Sequence, residues 1–501
     1  MSNLLKTFSL ILSFLIICFL TSRYVTINSD VANSSLIWRE LLDGNLHVYR
    51  DWKPTVDSWY FSVYPLHFIL FYVFGSDTLF PIIIATSLFT FIVAVSCSEI
   101  AGRLFGTASY FFTLIVLTVL PYPLYNWGLV QHPFSHYSTT AYGFICILVT
   151  LLNFSKGSVT GFLIICLLSL MACISDPWYA PTFLLPILLS EIFRLYKKRK
   201  NAVIAILMYA ITFLVFMSHA IQNLFNIPIH NFKLVPLHQM LANMESIPVL
   251  IGRSFNFLMI DHVAAHITCF LIFSALTVKA FFDFTKKGEK YSYASILFSL
   301  SILGIISSFI LSNRVIMNQN IRFFLNVYPI IYISLSYYLT TMPILLKISA
   351  TILFGLVNSI TYFGTQPSAN IEIKKIDKYT DFLISHHLKN GLGPFWKYSM
   401  PVNWLYPNKI HITPVIFDET GDFLRNRGRV QTMAHWLGGD FTKKIGGYDF
   451  ITLTEGRKGL DGECPEIDKC KRAIESAYGK PDEQLFYEGM LILVYRKGIQ
   501  P

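Results

Sequence analysis

The first stretch of the chain decides its fold. Residues 4–30 read LLKTFSLILSFLIICFLTSRYVTINSD, and residues 4–21 approach the roughly 20 apolar residues that a membrane-spanning helix needs. The stretch has one early basic residue, Lys6, and lacks the small-x-small cleavage motif of a secretory signal. We therefore expect a first transmembrane helix that places the acid Asp30 just beyond its outer end.

The whole chain, like its first stretch, is rich in apolar residues and poor in charged ones. Of 501 residues, 53% are hydrophobic and 14% are charged, whereas a soluble domain has about 25% charged residues. These values exclude an ordinary soluble enzyme, a disordered chain and a fibrous repeat. Half of the charged residues lie beyond residue 370. The sequence therefore predicts a membrane-embedded part, residues 1–365, followed by a water-exposed domain, residues 366–501.

The predicted fold class is mainly α, a polytopic bundle of transmembrane helices. The stretches that are long and apolar enough are 4–21, 79–98, 107–122, 138–154, 159–175, 179–194, 202–222, 263–284, 291–311, 325–342 and 345–364. A further stretch, 61–74, has 14 residues with Pro65 and His67 inside and is too short for an ordinary span.

Charge placement predicts the orientation of these spans. The basic runs Lys197–Lys200 and Lys286–Lys290 are typical of cytoplasmic loops, so the net charge of +10 does not indicate nucleic acid as a partner. Alternation then places the N-terminus inside and both loop 22–60 and residues 366–501 outside. The parity requires 11 spans if 61–74 only dips into the membrane, or 13 if a cryptic crossing exists.

The C-terminal residues have a mixed periodicity. Strand-like runs are Lys409–Phe417, Tyr448–Thr454 and Met490–Tyr495, and helix-like runs are Asp377–Leu388 and Ile467–Tyr478. Alternation of this kind predicts a small extracytoplasmic α/β domain.

Two cysteines fall in that domain, Cys464 and Cys470, spaced C-x5-C. A disulfide between them fits an oxidising exterior, and two free thiols are the alternative. No histidine pair follows them, so zinc is not predicted.

The first outer loop holds the candidate chemistry. Residues 30–43 predict an amphipathic helix that lies on the outer membrane surface. Asp30 at its start is either an N-cap or an acid held at the membrane–water boundary. Further polar groups follow closely, namely Arg50, Asp51, Lys53, Asp57, Tyr64 and His67. These charges form either a polar cavity or a solvated loop.

Later outer loops supply further basic groups. Arg314 and Arg322 flank the segment VIMNQNI and are candidates for a lipid phosphate, because arginine makes fork-like contacts with phosphate oxygens. Contact with lipid headgroups is the alternative. His132 and His136 are interrupted by Pro133 and lack a third ligand, so no metal is predicted. No nucleotide-binding motif is present, which argues against an ATP-driven pump.

The layout resembles a known group of enzymes. A first span, an outer loop with an early acid, and the segments Tyr64–His67, Glu99–Gly106, Gly391–Trp396 and His411–Val415 are similar to GT-C integral-membrane glycosyltransferases. The chain looks most like the bacterial and phage-encoded members that decorate O-antigen with glucose. Many members carry two neighbouring acids in the first loop, whereas here the next acid after Asp30 is Glu40.

The resemblance implies an inverting transfer of a hexose, glucose foremost, from a polyprenyl-phosphate donor to an extracytoplasmic glycan such as O-antigen. It needs no cofactor, and a divalent metal has no support in this sequence. The residues that take roles by this resemblance are Asp30 and Glu40 in catalysis, Arg39, Lys53, Arg314 and Arg322 at the donor phosphate, and Trp396 and Trp404 at the acceptor.

The same resemblance implies a location in the bacterial inner membrane, with a periplasmic C-terminal domain. The lipid bilayer, a flippase and a donor-making synthase are the implied partners. A lipid-linked glycan flippase is an alternative, but it would need charges in the middle of its spans. An O-antigen polymerase or ligase is another, and Arg314 and Arg322 keep it open.

The predicted orientation can be tested with alkaline phosphatase, which becomes active only where its disulfides form. A fusion after residue 501 is expected to be active, and a control fusion after Lys198 inactive. An inactive C-terminal fusion would contradict the topology.

Overall fold

The computed structural model describes residues 3–199, 201–229, 233–255, 260–424, 428–456 and 463–499. Lys200, part of a basic run named above, lies outside these ranges. The protein is 67% helical with a small C-terminal sheet, so the predicted fold class is confirmed.

Helices form the membrane part. Each predicted span coincides with one helix or with two consecutive helical segments. The helices are α1 Asn3–Tyr24, α2 Asn33–Leu42, α3 Val48–Asp51, α4 Tyr64–Phe74, α5 Leu79–Phe105, α6 Thr107–Thr118, α7 Tyr122–Asn126, α8 His136–Asn153, α9 Val159–Ser175, α10 Leu185–Tyr196, α11 Ala202–Met217, α12 Ala220–Leu224, α13 Leu237–Ser254, α14 Val263–Thr285, α15 Glu289–Ser312, α16 Val327–Ser336 and α17 Ile344–Ile360.

Short irregular helices extend this set. A π-helical segment, Ala180–Leu184, runs into α10, and the 3-10 turns Asn318–Phe324 and Tyr337–Thr341 flank α16. Within the described ranges, α1, α5, α14 and α15 are each long and apolar enough to cross a membrane. The turn before α16 and α16 itself, bent by 60°, count as one more, beside several shorter apolar helices. The chain is a multi-pass membrane protein, and the number of 11 or 13 spans stays a prediction.

Helix α4 corresponds to the stretch that was too short to assign as a span. Its 11 residues extend about 16 Å at 1.5 Å per residue, about half of the roughly 30 Å hydrocarbon core. It packs against α2 and α5. By itself, this helix does not cross.

Helix α13 lies in a region predicted as an outer loop. Pro248 and several polar residues interrupt its apolar pattern, so the hydropathy of the sequence does not predict this helix. Its buried Asn243 donates hydrogen bonds to the carbonyl oxygens of Ile310 (3.1 Å) and Asn313 (2.7 Å). The carbonyls at a helix C-terminus lack partners within the helix, so Asn243 anchors α13 to the end of α15.

The C-terminal domain is built on five strands in the order β2-β1-β3-β5-β4. Strands β1 and β2, and β1 and β3, are parallel, whereas β5 is antiparallel to β3 and β4. The elements are α18 Ser368–Ser385, β1 Asn390–Gly393, α19 Met400–Leu405, β2 His411–Pro414, α20 Gly439–Ile445, β3 Tyr448–Leu453, α21 Ile467–Tyr478, β4 Glu483–Tyr487 and β5 Met490–Ile499.

The three predicted strands correspond to β2, β3 and β5, whereas β1 and β4 were missed. Strand β1 reads NGLG, a composition that disfavours strands. The packing explains one of these glycines. The Phe450 ring lies 2.2 Å from the position that a Cβ at residue 391 would take, so only glycine fits there. Cys464 and Cys470 are joined in a disulfide with their Cα atoms 6.1 Å apart.

The start and the surroundings of helix α2 differ from those predicted. It begins at Asn33 rather than at residue 30, and its first half is buried. The ring of Trp38 packs 5.5 Å from that of Phe68 on α4. The helix therefore does not lie on an open membrane surface but is enclosed between α4 and the C-terminal domain.

Arg39 on α2 fastens the C-terminal domain to the membrane part. Its guanidinium lies 2.6 Å from the Asp77 carboxylate and donates to the carbonyl oxygens of Asn403 (3.0 Å) and Trp404 (2.7 Å). Trp404, 1% exposed, donates in turn to the Asp77 carbonyl at 2.8 Å. These contacts correct two assignments, because Arg39 has its donors engaged by protein groups and Trp404 is too buried to stack on a sugar.

Replacing Arg39 with methionine should therefore weaken docking. A hydrogen-bonded charged group contributes about 2 kcal/mol, so Arg39→Met should lower the thermal stability in detergent and expose the linker before α18 to proteolysis. Arg314→Met, at an exposed site without an ion pair in the described ranges, is the control. Unchanged stability combined with weaker donor binding would restore the phosphate role.

Candidate active site

Three acidic side chains meet at the outer ends of the helices. Asp30 follows α1, Asp57 precedes α4 and Asp176 directly follows α9. Asp57 lies close enough to interact electrostatically with both other acids, and also with His136 and Arg322. The structure thus gathers acids from three outer loops into one cluster, here called the acid cluster.

Asp30 is held in a turn between α1 and α2. Its carbonyl oxygen accepts a hydrogen bond from the Asn33 N–H at 3.1 Å, and its carboxyl Oδ1 accepts one from Nε2 of Gln431 at 2.9 Å. The N-cap of α2 is Ala32, and no side chain caps the helix. The interpretation of Asp30 as an N-cap is therefore wrong, and the carboxylate points instead toward a group from the C-terminal domain.

Asp57 occupies the most perturbed position in the cluster. Burial raises the pKa of its carboxyl to about 6, with Asp176 adding to the rise, while His136 and Arg322 oppose it. The side chain itself is only half-buried, as expected for a group that lines an internal space. A carboxyl with a pKa in this range exchanges protons near neutral pH, which suits a general acid or base.

Asp176 and His136 form a direct pair. The Nδ1 atom of His136 lies 2.7 Å from Oδ2 of Asp176, and Oδ1 accepts a hydrogen bond from the Trp178 N–H at 3.1 Å. Asp176 is 1% exposed. The histidine ring also packs 5.0 Å from the ring of Phe323. The pair connects the start of α8 with the end of α9 and keeps a buried carboxylate partnered.

Arg322 brings positive charge to the cluster. It belongs to the turn Asn318–Phe324 and lines a small cavity together with His136, Asp176 and Trp178. Its Nε is buried and has no hydrogen-bond partner among the described residues. A buried donor without a partner is costly and is therefore available to an anionic ligand. Arg314, in contrast, is exposed and reaches none of these groups.

The backbone of Lys53 binds the segment whose Gln431 contacts Asp30. Its carbonyl oxygen accepts a hydrogen bond from the Gln431 N–H, and its own N–H donates to Thr432 at 3.0 Å. Its ammonium forms no ion pair with any residue in the described part of the chain. Of the predicted phosphate ligands, Lys53 and Arg322 thus remain as candidates.

An apolar cavity of about 780 Å³ adjoins the acids. Val56, Pro177 and Trp178, the sequence neighbours of Asp57 and Asp176, line it, and Trp178 also lines the small polar cavity. Its other walls come from the π-helical segment, α10, α11 and α15, and Lys233 and His219 add polar groups. The volume is typical of a binding pocket for a small molecule or part of a lipid.

Glu40 belongs to a different group of side chains. Its Oε1 lies 3.6 Å from Nε2 of His435, and Asp51 accepts hydrogen bonds from Nδ1 and the N–H of the same histidine. Burial would lower the pKa of His435, but Asp51 and Glu40 outweigh it and the pKa is raised. The contacts of Glu40 are thus with this histidine and Asn45, which makes it a poor partner for Asp30.

These three side chains could also hold a metal. One ligand atom from each of Glu40, Asp51 and His435 lies within 4.8 Å of the others, the one such group among the described residues. The histidine already pairs with Asp51, so the group joins the first outer loop to the C-terminal domain without an ion. The absence of a metal cofactor stays a prediction.

An aromatic surface lies near Asp30. Trp396 is 40% exposed and meets the Phe395 ring edge-on at 4.9 Å, and the Arg429 guanidinium lies over both rings, at 5.4 and 3.7 Å. The Phe395 carbonyl accepts a hydrogen bond from the hydroxyl of Ser29, the residue before Asp30. Trp396, unlike Trp404, therefore keeps an exposed aromatic face.

Sequence reasoning missed the composition of this cluster. In the sequence, Asp57, Asp176 and His136 are only polar residues of segments between apolar stretches, and nothing singles out Gln431. A signal existed for Asp176, because a carboxylate directly after an apolar span stands at the membrane boundary, as Asp30 does. No signal in the sequence connects these loops to each other.

Comparison with known proteins finds relatives through structure alone. No protein-family model and no curated protein matches the sequence. ArnT from Cupriavidus metallidurans, solved with undecaprenyl phosphate, matches with a TM-score of 0.59 and 10% identity over 98% of both chains. The archaeal oligosaccharyltransferase AglB from Archaeoglobus fulgidus, solved with an inhibitory peptide and a dolichol-phosphate, matches with a TM-score of 0.47 and 11% identity over 90% of this chain and 70% of AglB.

The match to ArnT confirms the fold. The similarity to ArnT extends over 98% of both chains, so this protein has an ArnT-like fold.

The raised pKa of Asp57 predicts a dependence of stability on pH. Folding raises this pKa from 3.8 to about 6, so the folded protein retains a proton that the unfolded chain releases. The contribution of Asp57 to stability is fully present below pH 3.8 and is lost as the pH rises through about 6.

The variant Asp57→Asn should therefore be more stable than the parent above pH 6, and the two should converge in acid. Thermal unfolding in detergent between pH 4 and 8 measures this difference. An equal or lower stability of the variant at pH 7 would contradict the raised pKa of Asp57.

Proposed function

We propose that this protein transfers a hexose, glucose foremost, from a polyprenyl-phosphate donor to an extracytoplasmic glycan such as O-antigen, with inversion. One observation carries the proposal. The acid cluster adjoins an apolar cavity between helices and a small polar cavity that Arg322 lines. Ser29, the residue before Asp30, binds the Phe395 carbonyl next to the exposed Trp396. A lipid-linked sugar and a water-soluble acceptor can approach the same acids from these two sides.

The donor's lipid fits the apolar cavity. Polyprenyl chains bind to apolar walls, while the phosphate needs cationic donors at the polar end. Arg322, with its unpartnered Nε, is our candidate for the phosphate, and Lys53 and Lys233 are further basic groups nearby. ArnT, which shares the fold, was solved with undecaprenyl phosphate, and this supports a donor of the same class.

The chemistry proposed at the cluster is a single displacement. Asp30 accepts the proton of the acceptor hydroxyl while that oxygen forms a bond to the anomeric carbon. The bond from this carbon to the phosphate oxygen breaks at the same time, and the polyprenyl phosphate leaves with the electron pair. Attack opposite to the leaving group inverts the anomeric configuration.

Arg322 and Asp57 assist the leaving group in this proposal. The guanidinium stabilises negative charge on the departing phosphate. Asp57 is partly protonated near neutral pH because of its raised pKa and can share that proton with a phosphate oxygen. It thus takes the place of the second acid that the sequence assigned to Glu40. The donor's phosphoester supplies the energy, so no cofactor is proposed.

Acceptor binding is proposed at the aromatic surface beside Asp30. The exposed Trp396 offers a flat apolar face, and sugars stack on such faces. Arg429 lies over its ring and holds the aromatic face in position. This position brings an acceptor hydroxyl toward Asp30 from the side of the C-terminal domain.

A lipid-linked glycan flippase is less well supported. Transport would require polar groups along the spans. The buried ion pair Glu191–Arg194, 2.7 Å apart, is closed on itself with Tyr293, whereas the acid cluster lies at the outer ends. A polymerase or ligase using Arg314 is also less favoured, because this arginine is exposed and away from the acids.

The proposed setting is the bacterial inner membrane, with the C-terminal domain in the periplasm. A synthase would make the donor on the cytoplasmic side and a flippase would carry it across. The outer position of the acid cluster agrees with a donor that arrives at the outer leaflet.

Asp30→Asn is expected to remove transfer. The amide keeps the shape but cannot accept the proton, and loss of a general base costs about 100- to 10,000-fold. Transfer from radiolabelled polyprenyl-phosphate glucose in proteoliposomes measures this loss. Glu40→Gln is the matched control and should retain most activity, since Glu40 contacts His435 instead. An active Asp30→Asn beside an inactive Glu40→Gln would reverse the assignment.

A further inference from the structure

We propose that the C-terminal domain completes the active site, and that Gln431 is the positioning residue that orients the Asp30 carboxylate. The inference rests on the proposed function and adds to it a residue 401 positions away in sequence. The segment concerned, residues 428–436, is here called the strap.

The strap docks on the first outer loop through its backbone. Lys53 donates from its N–H to the Thr432 carbonyl at 3.0 Å and accepts at its own carbonyl from the Gln431 N–H. Trp52 and Met433 form an antiparallel bridge next to this pair. These contacts hold two short extended segments together as in a small sheet, and they do not depend on the Gln431 side chain.

Buried side chains surround this docking. Met433 and Trp52 are 1% and 2% exposed, and Thr432 is 2% exposed. Beyond them, the His435 N–H donates to Asp51 at 2.9 Å. The strap is therefore fixed at several points on the loop that carries Asp30, which leaves Gln431 little freedom.

Gln431 is held in an unusual conformation. Its φ of 63° lies in the left-handed region, which a residue with a Cβ rarely adopts. Such strain persists only where the surroundings impose it, and it is concentrated at functional sites. Here the Gln431 amide, 7% exposed, reaches Asp30 Oδ1 at 2.9 Å.

This hydrogen bond has a direct consequence for a general base. An amide N–H that donates to one carboxylate oxygen fixes the plane of the carboxyl and favours its ionised form. Both effects help a base that must meet a hydroxyl in a defined direction.

The experiment compares Gln431→Met with Val430→Thr in the full-length protein. Methionine has nearly the length of glutamine but cannot donate. We expect the kcat of Gln431→Met to fall about 10- to 100-fold, a moderate part of the general-base contribution. KM for the donor should stay unchanged. The acid limb of its pH–rate profile should move to higher pH. Val430→Thr, at an exposed neighbouring position, should match the parent.

A double-mutant cycle separates positioning from a structural role. If Gln431 acts through Asp30, then Gln431→Met should cause no further loss in the Asp30→Asn background, because coupled residues are not additive. Gln431→Met should keep the protease resistance of the parent, since the backbone contacts remain, and its melting temperature should fall only by the small contribution of one hydrogen bond.

Three outcomes would overturn the inference. These are full activity of Gln431→Met, a fall in stability parallel to the loss of activity, or an additional loss in the Asp30→Asn background. An Asp30→Asn variant that is itself fully active would instead refute the proposed reaction, so the two failures are distinguishable.

Discussion

Three carboxylates held together next to an apolar cavity are the constraint on which the rest of this structure depends. Burial penalises each ionised carboxyl, and like charges repel one another. Burial and the neighbouring charge of Asp176 raise the pKa of Asp57 for these two reasons. Asp176, almost fully buried, is tolerated because His136 binds it directly. A cluster of this kind needs partners on every side, and the fold supplies them from distant parts of the chain.

The first outer loop is the place where these partners meet. It carries Asp30 and Asp57, and it contacts both the spans and the C-terminal domain. On one side Arg39 links it to Asp77 and to two carbonyl groups near α19, and on the other the strap pairs with it along the backbone. The loop is therefore an internal layer between the membrane helices and the C-terminal domain. Its buried position explains how a connecting segment can hold acidic side chains in a defined geometry.

Much of the architecture could be predicted because it follows from local patterns. Hydropathy and length located the spans, since every backbone polar group inside a bilayer must be paired within a helix. The periodicity of the tail located α21 and three of the five strands. The failures have local causes as well. Helix α13 was hidden by Pro248 and its polar residues, although Asn243 makes it stable by binding the end of α15. Strand β1 was hidden by its two glycines, of which Gly391 leaves room for the buried Phe450 ring.

The site was predictable only in part. The sequence by itself determined a membrane bundle followed by a small α/β unit. It also singled out Asp30, because an acid directly after a first span stands at the end of that span whatever the rest of the chain does. Only the tertiary structure decided which residues join it. Arg39 and Trp404 have the right chemistry for ligand binding, yet burial engages them in docking, whereas Asp57 and Gln431 become neighbours of Asp30. Hydropathy and periodicity act between residues a few positions apart. The burial and charge interactions that define this site act between loops that are close in space and far apart in sequence.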